Sequence, residues 1–250
     1  MNMKNANTKL WIEKSGDDFP LYNGKPNNIN AYQWVTLLAS VALGFAFLSM
    51  KIDVLNGTFG GIARSTLFFA VPLTVFYLIT NKEVTTLFRK LRWRDARVMI
   101  SIALVNLLVT IALGALFLNT LGADTNTAIG ALKDLSNHER LLFFVQSLPQ
   151  LFGEEVLTVL PFLAFLHFSY RYLGLSKTRS VLLAWLLSSL VFGLVHLPTY
   201  NWNWLQCIIV IGSARLILTL AYIRTKNIWV STGAHIINDW VIFSLVMIAH

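Results

Sequence analysis

Charge is what this sequence has least of. Asp, Glu, Lys and Arg make up 13% of its 250 residues, against roughly 25% in a soluble domain. Apolar and aromatic residues reach 56%, and mean hydropathy is +0.61. A chain so poor in charge reads as a membrane protein. Cysteine is nearly absent too: the single Cys207 excludes an intrachain disulfide and any cysteine-rich metal site. Familiar hydrolase signatures are missing. His138 and Glu139 begin an HExxH pattern that fails at Leu142, no GxSxG serine elbow occurs, and Cys207 has no histidine within its own helix turn. There is no internal repeat.

What the chain does have is long apolar runs. A bilayer-spanning helix needs about 20 apolar residues. Such stretches run from about Tyr32 to Met50, Ala63 to Thr80, Val98 to Leu121, Leu141 to Phe168, Val181 to Leu197, Trp204 to Ile223 and Ile228 to Ala249. They predict an all-α fold, a polytopic transmembrane bundle of seven or eight spans occupying residues 32–250. Residues 1–31 form a polar segment without a basic-then-apolar run ending in a cleavage site, so no removable leader is expected and the first span inserts the chain. The Asn, Gly and Pro content of this segment predicts no stable helix after about Ser15, and it reads mainly as a tether.

The formal charge of +8 is distributed between spans rather than on one face. Lys and Arg favour the cytoplasmic side of a membrane. Lys4, Lys9, Lys14 and Lys25 precede the first span, and little beyond Lys51 comes after it. Lys82, Arg89, Lys90, Arg92, Arg94 and Arg97 follow the second. Lys133 and Arg140 are the only ones after the third, Arg171, Lys177 and Arg179 follow the fourth, and Arg224 and Lys226 the sixth. This alternation predicts a multi-pass protein of the cell membrane with its N-terminus cytoplasmic and its C-terminus external. The cluster from Arg89 to Arg97, interleaved with Trp93, reads as an interfacial anchor on anionic lipid, not as a nucleic-acid site.

Ionisable side chains within a span are costly and usually mark function. The second and third spans nearly lack them. The last four carry Glu154 and Glu155, His196, Arg215, and His235 with Asp239. Residues four apart share a helix face, so Gln146, Gln150, Glu154 and Thr158 form one polar seam. Ser231, His235 and Asp239 form another, and Ser188, Phe192 and His196 a third. Interhelical hydrogen bonding accounts for the Gln and Ser members. It does not account for adjacent glutamates, each of which needs a partner when desolvated. Glu155 lies about 100° around the helix from Glu154, so one is expected to act and the other to support. Such a carboxylate and histidine set can activate water and protonate a leaving amine, or hold a divalent metal with one open position. A transporter is the weaker reading, because paired interrupted helices in two related halves are lacking.

Three motifs bear a resemblance. Gly153-Glu154-Glu155, Phe192-Gly193-Leu194-Val195-His196 and His235-Ile236-Ile237-Asn238-Asp239, separated by roughly forty residues, each fall in their own span. From about Leu141 onward the chain resembles the CPBP (Abi) family of intramembrane proteases, related to type II CAAX prenyl endopeptidases and to bacteriocin-processing and bacteriocin-immunity proteins. The resemblance implies that Glu154 activates the water with support from Glu155. His196 and His235 would bind a metal, Zn²⁺ by ligand type, or stabilise the oxyanion, and Asp239 would hold the last position of the third motif. It implies an endopeptidase acting on a membrane-associated peptide or protein, with a non-catalytic immunity or regulatory protein as the alternative. Phe192 and Asn238 would be supporting residues. The family's EExxxR arginine is Val159 here, and Arg215 is the cation expected to replace it. In a straight bundle His196, near the outer end of its span, would stand apart from His235, near the inner end of its own.

Overall fold

The computed structural model describes residues 9–248 apart from 15, 51–56, 121, 125, 127, 128, 130, 131, 133 and 134. The span ends expected at Leu121 and Ala249, and Lys4, Lys51 and Lys133, lie outside the described residues. Seven helices are long and apolar enough to cross a membrane. They are α1 (Ala31–Ser49), α2 (Gly57–Ile79), α3 (Trp93–Thr120), α4 (Asn137–Arg171), α5 (Lys177–Val195), α6 (Trp204–Thr225) and α7 (Ile228–Ile248). The architecture is all-helical, with no eighth such helix among the described residues.

Local chemistry sets where these helices begin. Asn30 and Ser136 cap α1 and α4, and each forms a reciprocal capping box, with Gln33 and Glu139 respectively. Ser176 caps α5. Helix α4 is the axis of the bundle: 83% of its apolar window is buried inside the protein, against 56% or less for every other span. It packs on α1, α2, α5 and α7, while α3 closes the bundle against α6 and α7. The chain therefore alternates up and down. One end of the bundle gathers the end of α1, the start of α2, the start of α4 and the end of α5. The other gathers the start of α3, the end of α6 and the start of α7.

The N-terminal segment departs from the tether expectation. Ile12, Phe19, Leu21, Tyr22 and Ile29 belong to the same buried core as α4. Phe19 packs at a tilt against Phe162 and Tyr222, and Tyr22 meets Tyr170 edge-on. Buried Glu13 is shared by Lys177 (3.2 Å) and Lys226 (3.3 Å), so the segment ties the start of α5 to the α6–α7 junction. Burial pushes the Lys226 ammonium below its ordinary range, with Glu13 opposing the shift. The apolar residues of the segment have no 3.6-residue or two-residue period, and so their burial left no sequence signal. Glu13→Gln leaves buried Lys226 without its carboxylate, while Lys177 keeps Asp18 at 2.8 Å, at an expected cost of about 3 kcal/mol. Limited trypsinolysis at Lys9 and Lys14 should accelerate; unchanged cleavage would mean the ion pairs do not hold the segment.

Candidate active site

The three motifs meet around one cavity of about 480 Å³ in the end of the bundle away from the N-terminal segment. Glu154, Phe192, His196, Arg215, His235, Asn238 and Asp239 all line it. The separation of the two histidines expected of a straight bundle does not occur. His196 is the C-cap of α5, where the chain turns into a 3₁₀ segment, Leu197–Tyr200, that folds over the cavity. Phe192 neighbours both imidazoles, its ring 4.6 Å from that of His196 and 6.3 Å from that of His235.

The adjacent glutamates have different surroundings, as their angular offset on α4 requires. Glu155 is not among the cavity-lining residues and its side chain is fully buried. Arg215 Nη1 donates to Glu155 Oε1 at 2.6 Å, and His235 Nδ1 lies 2.9 Å from the same oxygen. Arg215 is also fully buried, stacked over the Phe192 ring at 4.9 Å, with Nε donating to Thr219 Oγ1. Val159, at the motif arginine's position, is packed in the apolar core. The cation thus reaches the second glutamate from α6 instead of from α4 itself. Glu154 keeps 11% of its side chain exposed. Its Oε1 accepts from Gln150 Nε2 (3.1 Å), and its Oε2 lies 3.7 Å from His235 Nε2.

His235 is oriented by its Nδ1 contact with Glu155, which leaves Nε2 facing Glu154 and Asp239 (3.6 Å). These last distances exceed a direct hydrogen bond and leave a water in the cavity within reach of both groups. Asp239 is held in turn: Asn238 Nδ2 donates to Asp239 Oδ1 (2.9 Å), and Asn106 Nδ2 on α3 donates to Asn238 Oδ1 (2.9 Å). His196 Nδ1 is 2.7 Å from the carbonyl of Phe192. A ring nitrogen at a carbonyl carries the proton, so in the neutral ring the lone pair resides on Nε2.

Two backbone features place these groups. Residues Cys207–Ile211 of α6 form a π-helical turn. The extra residue of such a turn rotates the remainder of the helix by about 100°, which sets the direction in which Arg215 projects. Gly193, inside the second motif, lies against that turn: a Cβ there would come 2.6 Å from the Cys207 carbonyl oxygen. Gly193→Ala is expected to force α5 from α6 at a cost of about 1–3 kcal/mol, read as a lower melting temperature in detergent. An unchanged melting point would mean the two helices separate freely.

The ionisable groups of the last four spans did not point to Arg64, Asn106 or Tyr200, which also line the cavity. Arg64, near the start of α2, donates from Nη1 to the Met50 carbonyl, and Asn106 reaches in from α3. Asn106 was visible as a lone polar residue in an apolar run, and Arg64 as a cation near the start of one. Tyr200, in the 3₁₀ segment, accepts from Asn126 Nδ2 (3.4 Å), and burial pushes its phenol above the usual range, so it remains an O–H donor. No periodicity pointed to it. Among the described residues, no three His, Cys, Asp or Glu side chains gather as a metal-binding group.

Residues 136–241 match the family model described as type II CAAX prenyl endopeptidase Rce1-like, a little over two-fifths of the chain that includes all three motifs. The match is consistent with a CPBP family protease. No curated protein and no solved structure matches the chain.

Proposed function

Proceeding from the Rce1-like domain at residues 136–241, we propose that this chain is an intramembrane endopeptidase that hydrolyses a peptide bond in a membrane-associated peptide or protein with Glu154 as the base. The observation that carries this reading is the division of labour between the two glutamates. Arg215 neutralises Glu155 behind the cavity wall, while Glu154 faces the cavity beside His235.

Glu154 takes a proton from a water held between it and His235, and the hydroxide attacks the scissile carbonyl. To stabilise the oxyanion, His196 and His235 donate from Nε2–H, each ring then carrying a proton on both nitrogens. As the carbon–nitrogen bond breaks, the proton on Glu154 passes to the leaving amine, so the carboxylate is regenerated. Glu155 and Asp239 fix His235, and Asn238 with Asn106 fixes Asp239. A divalent metal held by His196 and His235 would add Lewis acidity at the same carbonyl; every step above uses the chain's own side chains.

The non-catalytic alternative, an immunity or regulatory protein retaining the fold, drew its support from Val159 in the arginine's place. The Arg215–Glu155 pair supplies that cation from another helix and weakens the argument. The test does not require the substrate to be known. Protein reconstituted with membrane extract in ¹⁸O-water should generate peptides with ¹⁸O in their new carboxyl termini. His196→Ala should lower that signal about a hundredfold. Folded wild-type protein that labels nothing would sink the enzymatic reading in favour of the binder.

A further inference from the structure

At the opposite end of the bundle lies a second cavity, of about 540 Å³, that the proteolytic reading does not use. Three separate segments wall it: the N-terminal segment around Lys14 to Asp17, the end of the α2–α3 connection with the first turns of α3 from Arg89 to Val98, and the α6–α7 junction from Arg224 to Asn227. Its two carboxylates are already engaged. Asp17 accepts both of its contacts from Arg89 Nη1 (2.7 and 2.9 Å), and Asp95 accepts from the backbone N–H of Arg92 (2.8 Å). Arg224 is committed to the Ile12 carbonyl. Lys14, Lys90, Arg92 and Arg94 have no side-chain partner among the described residues, and all four are exposed.

Four unpaired cations around one concavity repel one another, and a concave low-dielectric wall concentrates their field. A multiply acceptor-bearing anion relieves that repulsion, and arginine forks match the oxygens of a phosphate. The flanking surface indicates where such an anion comes from. Trp11 is 88% exposed and Trp93 81% exposed, on the segments that form two of the walls. Exposed tryptophans of this kind sit at the headgroup level of a bilayer. We infer that this cavity is a phosphate-binding site for the headgroup of an anionic phospholipid, closed on one side by the N-terminal segment. This goes beyond a diffuse basic anchor, because the cations converge from three segments on one pocket. It does not depend on the proteolytic reading.

The test uses full-length protein in non-ionic detergent, titrated with phosphatidylglycerol, phosphatidylcholine, glycerol 3-phosphate and inorganic phosphate. Phosphatidylglycerol should bind saturably, and Arg92→Gln with Arg94→Gln should weaken it roughly thirtyfold, from about tenfold per 1.4 kcal/mol and about 1 kcal/mol per basic residue. Arg171→Gln with Arg179→Gln, two exposed cations outside the cavity, should change it less than threefold. Equal losses in both double variants, or phosphatidylcholine bound as tightly, would overturn the site and leave only diffuse attraction. Competition by glycerol 3-phosphate or inorganic phosphate at the affinity of the lipid would overturn the lipid assignment, because the site would then serve a soluble phosphate. Should the double variant fail to fold, Lys90→Gln alone is expected to weaken phosphatidylglycerol about fivefold; no change would count against the site.

Discussion

Glu154→Gln lowers peptide hydrolysis by about 10²–10⁴-fold while leaving the melting temperature of the detergent-solubilised protein near that of the wild type. The rate loss is the usual magnitude for removing a positioned general base. The amide has nearly the shape of the carboxylate, and its oxygen can still accept from Gln150 Nε2, which lies 3.1 Å away in the native site. No buried cation depends on Glu154, since Arg215 is bound to its neighbour. Fold and insertion should therefore survive. The neighbouring change behaves differently: Glu155→Gln removes the carboxylate between Arg215 and His235 and should lower stability along with rate. Measuring both quantities for both variants separates the two roles. Activity within tenfold of wild type in folded Glu154→Gln protein would remove Glu154 as the base.

Arg215→Met is expected to destabilise the protein by about 3–5 kcal/mol, the cost of leaving one partner of a buried ion pair uncompensated. Both side chains are 0% exposed and 2.6 Å apart, so water cannot replace the lost partner. Methionine occupies much of the volume and can still lie against the Phe192 ring, which isolates the charge effect. The double variant Arg215→Met with Glu155→Gln removes both charges together and should recover most of the lost stability, because a neutral pair carries no unpaired ion. A double-mutant cycle on thermal unfolding measures the coupling. If Arg215→Met melts like the wild type, Arg215 does not neutralise Glu155, and the replacement of the missing motif arginine from α6 is wrong.

The polar residues that line the cavity were legible because membrane sequences make them conspicuous. Glu154, His196, Arg215, His235 and Asp239 interrupt apolar runs where a charge is otherwise too costly, and four-residue spacing gave the face that each of them except Arg215 occupies. Asn106 and Arg64 were passed over because a lone polar group in an apolar helix is as readily explained by interhelical hydrogen bonding or by a helix end. The N-terminal segment was misjudged for the converse reason. Phe19, Leu21 and Tyr22 sit among Asn, Gly and Pro, and burial of an irregular strand of chain leaves no period to read.

By itself the sequence determined that the chain is a multi-pass membrane protein, that its span count is seven or eight, and which helices carry ionisable groups, since length, hydropathy and helical period are local properties. Tertiary structure alone decided which of the two glutamates faces the cavity, that Arg215 reaches Glu155 from α6, and that His196 and His235 line one cavity despite their expected depths. Those outcomes turn on the π-helical turn at Cys207–Ile211, the close approach at Gly193 and the fold-over at Leu197–Tyr200. Each rotates or lowers a side chain by an amount that depends on what another helix places against it, and no run of neighbouring residues contains that information.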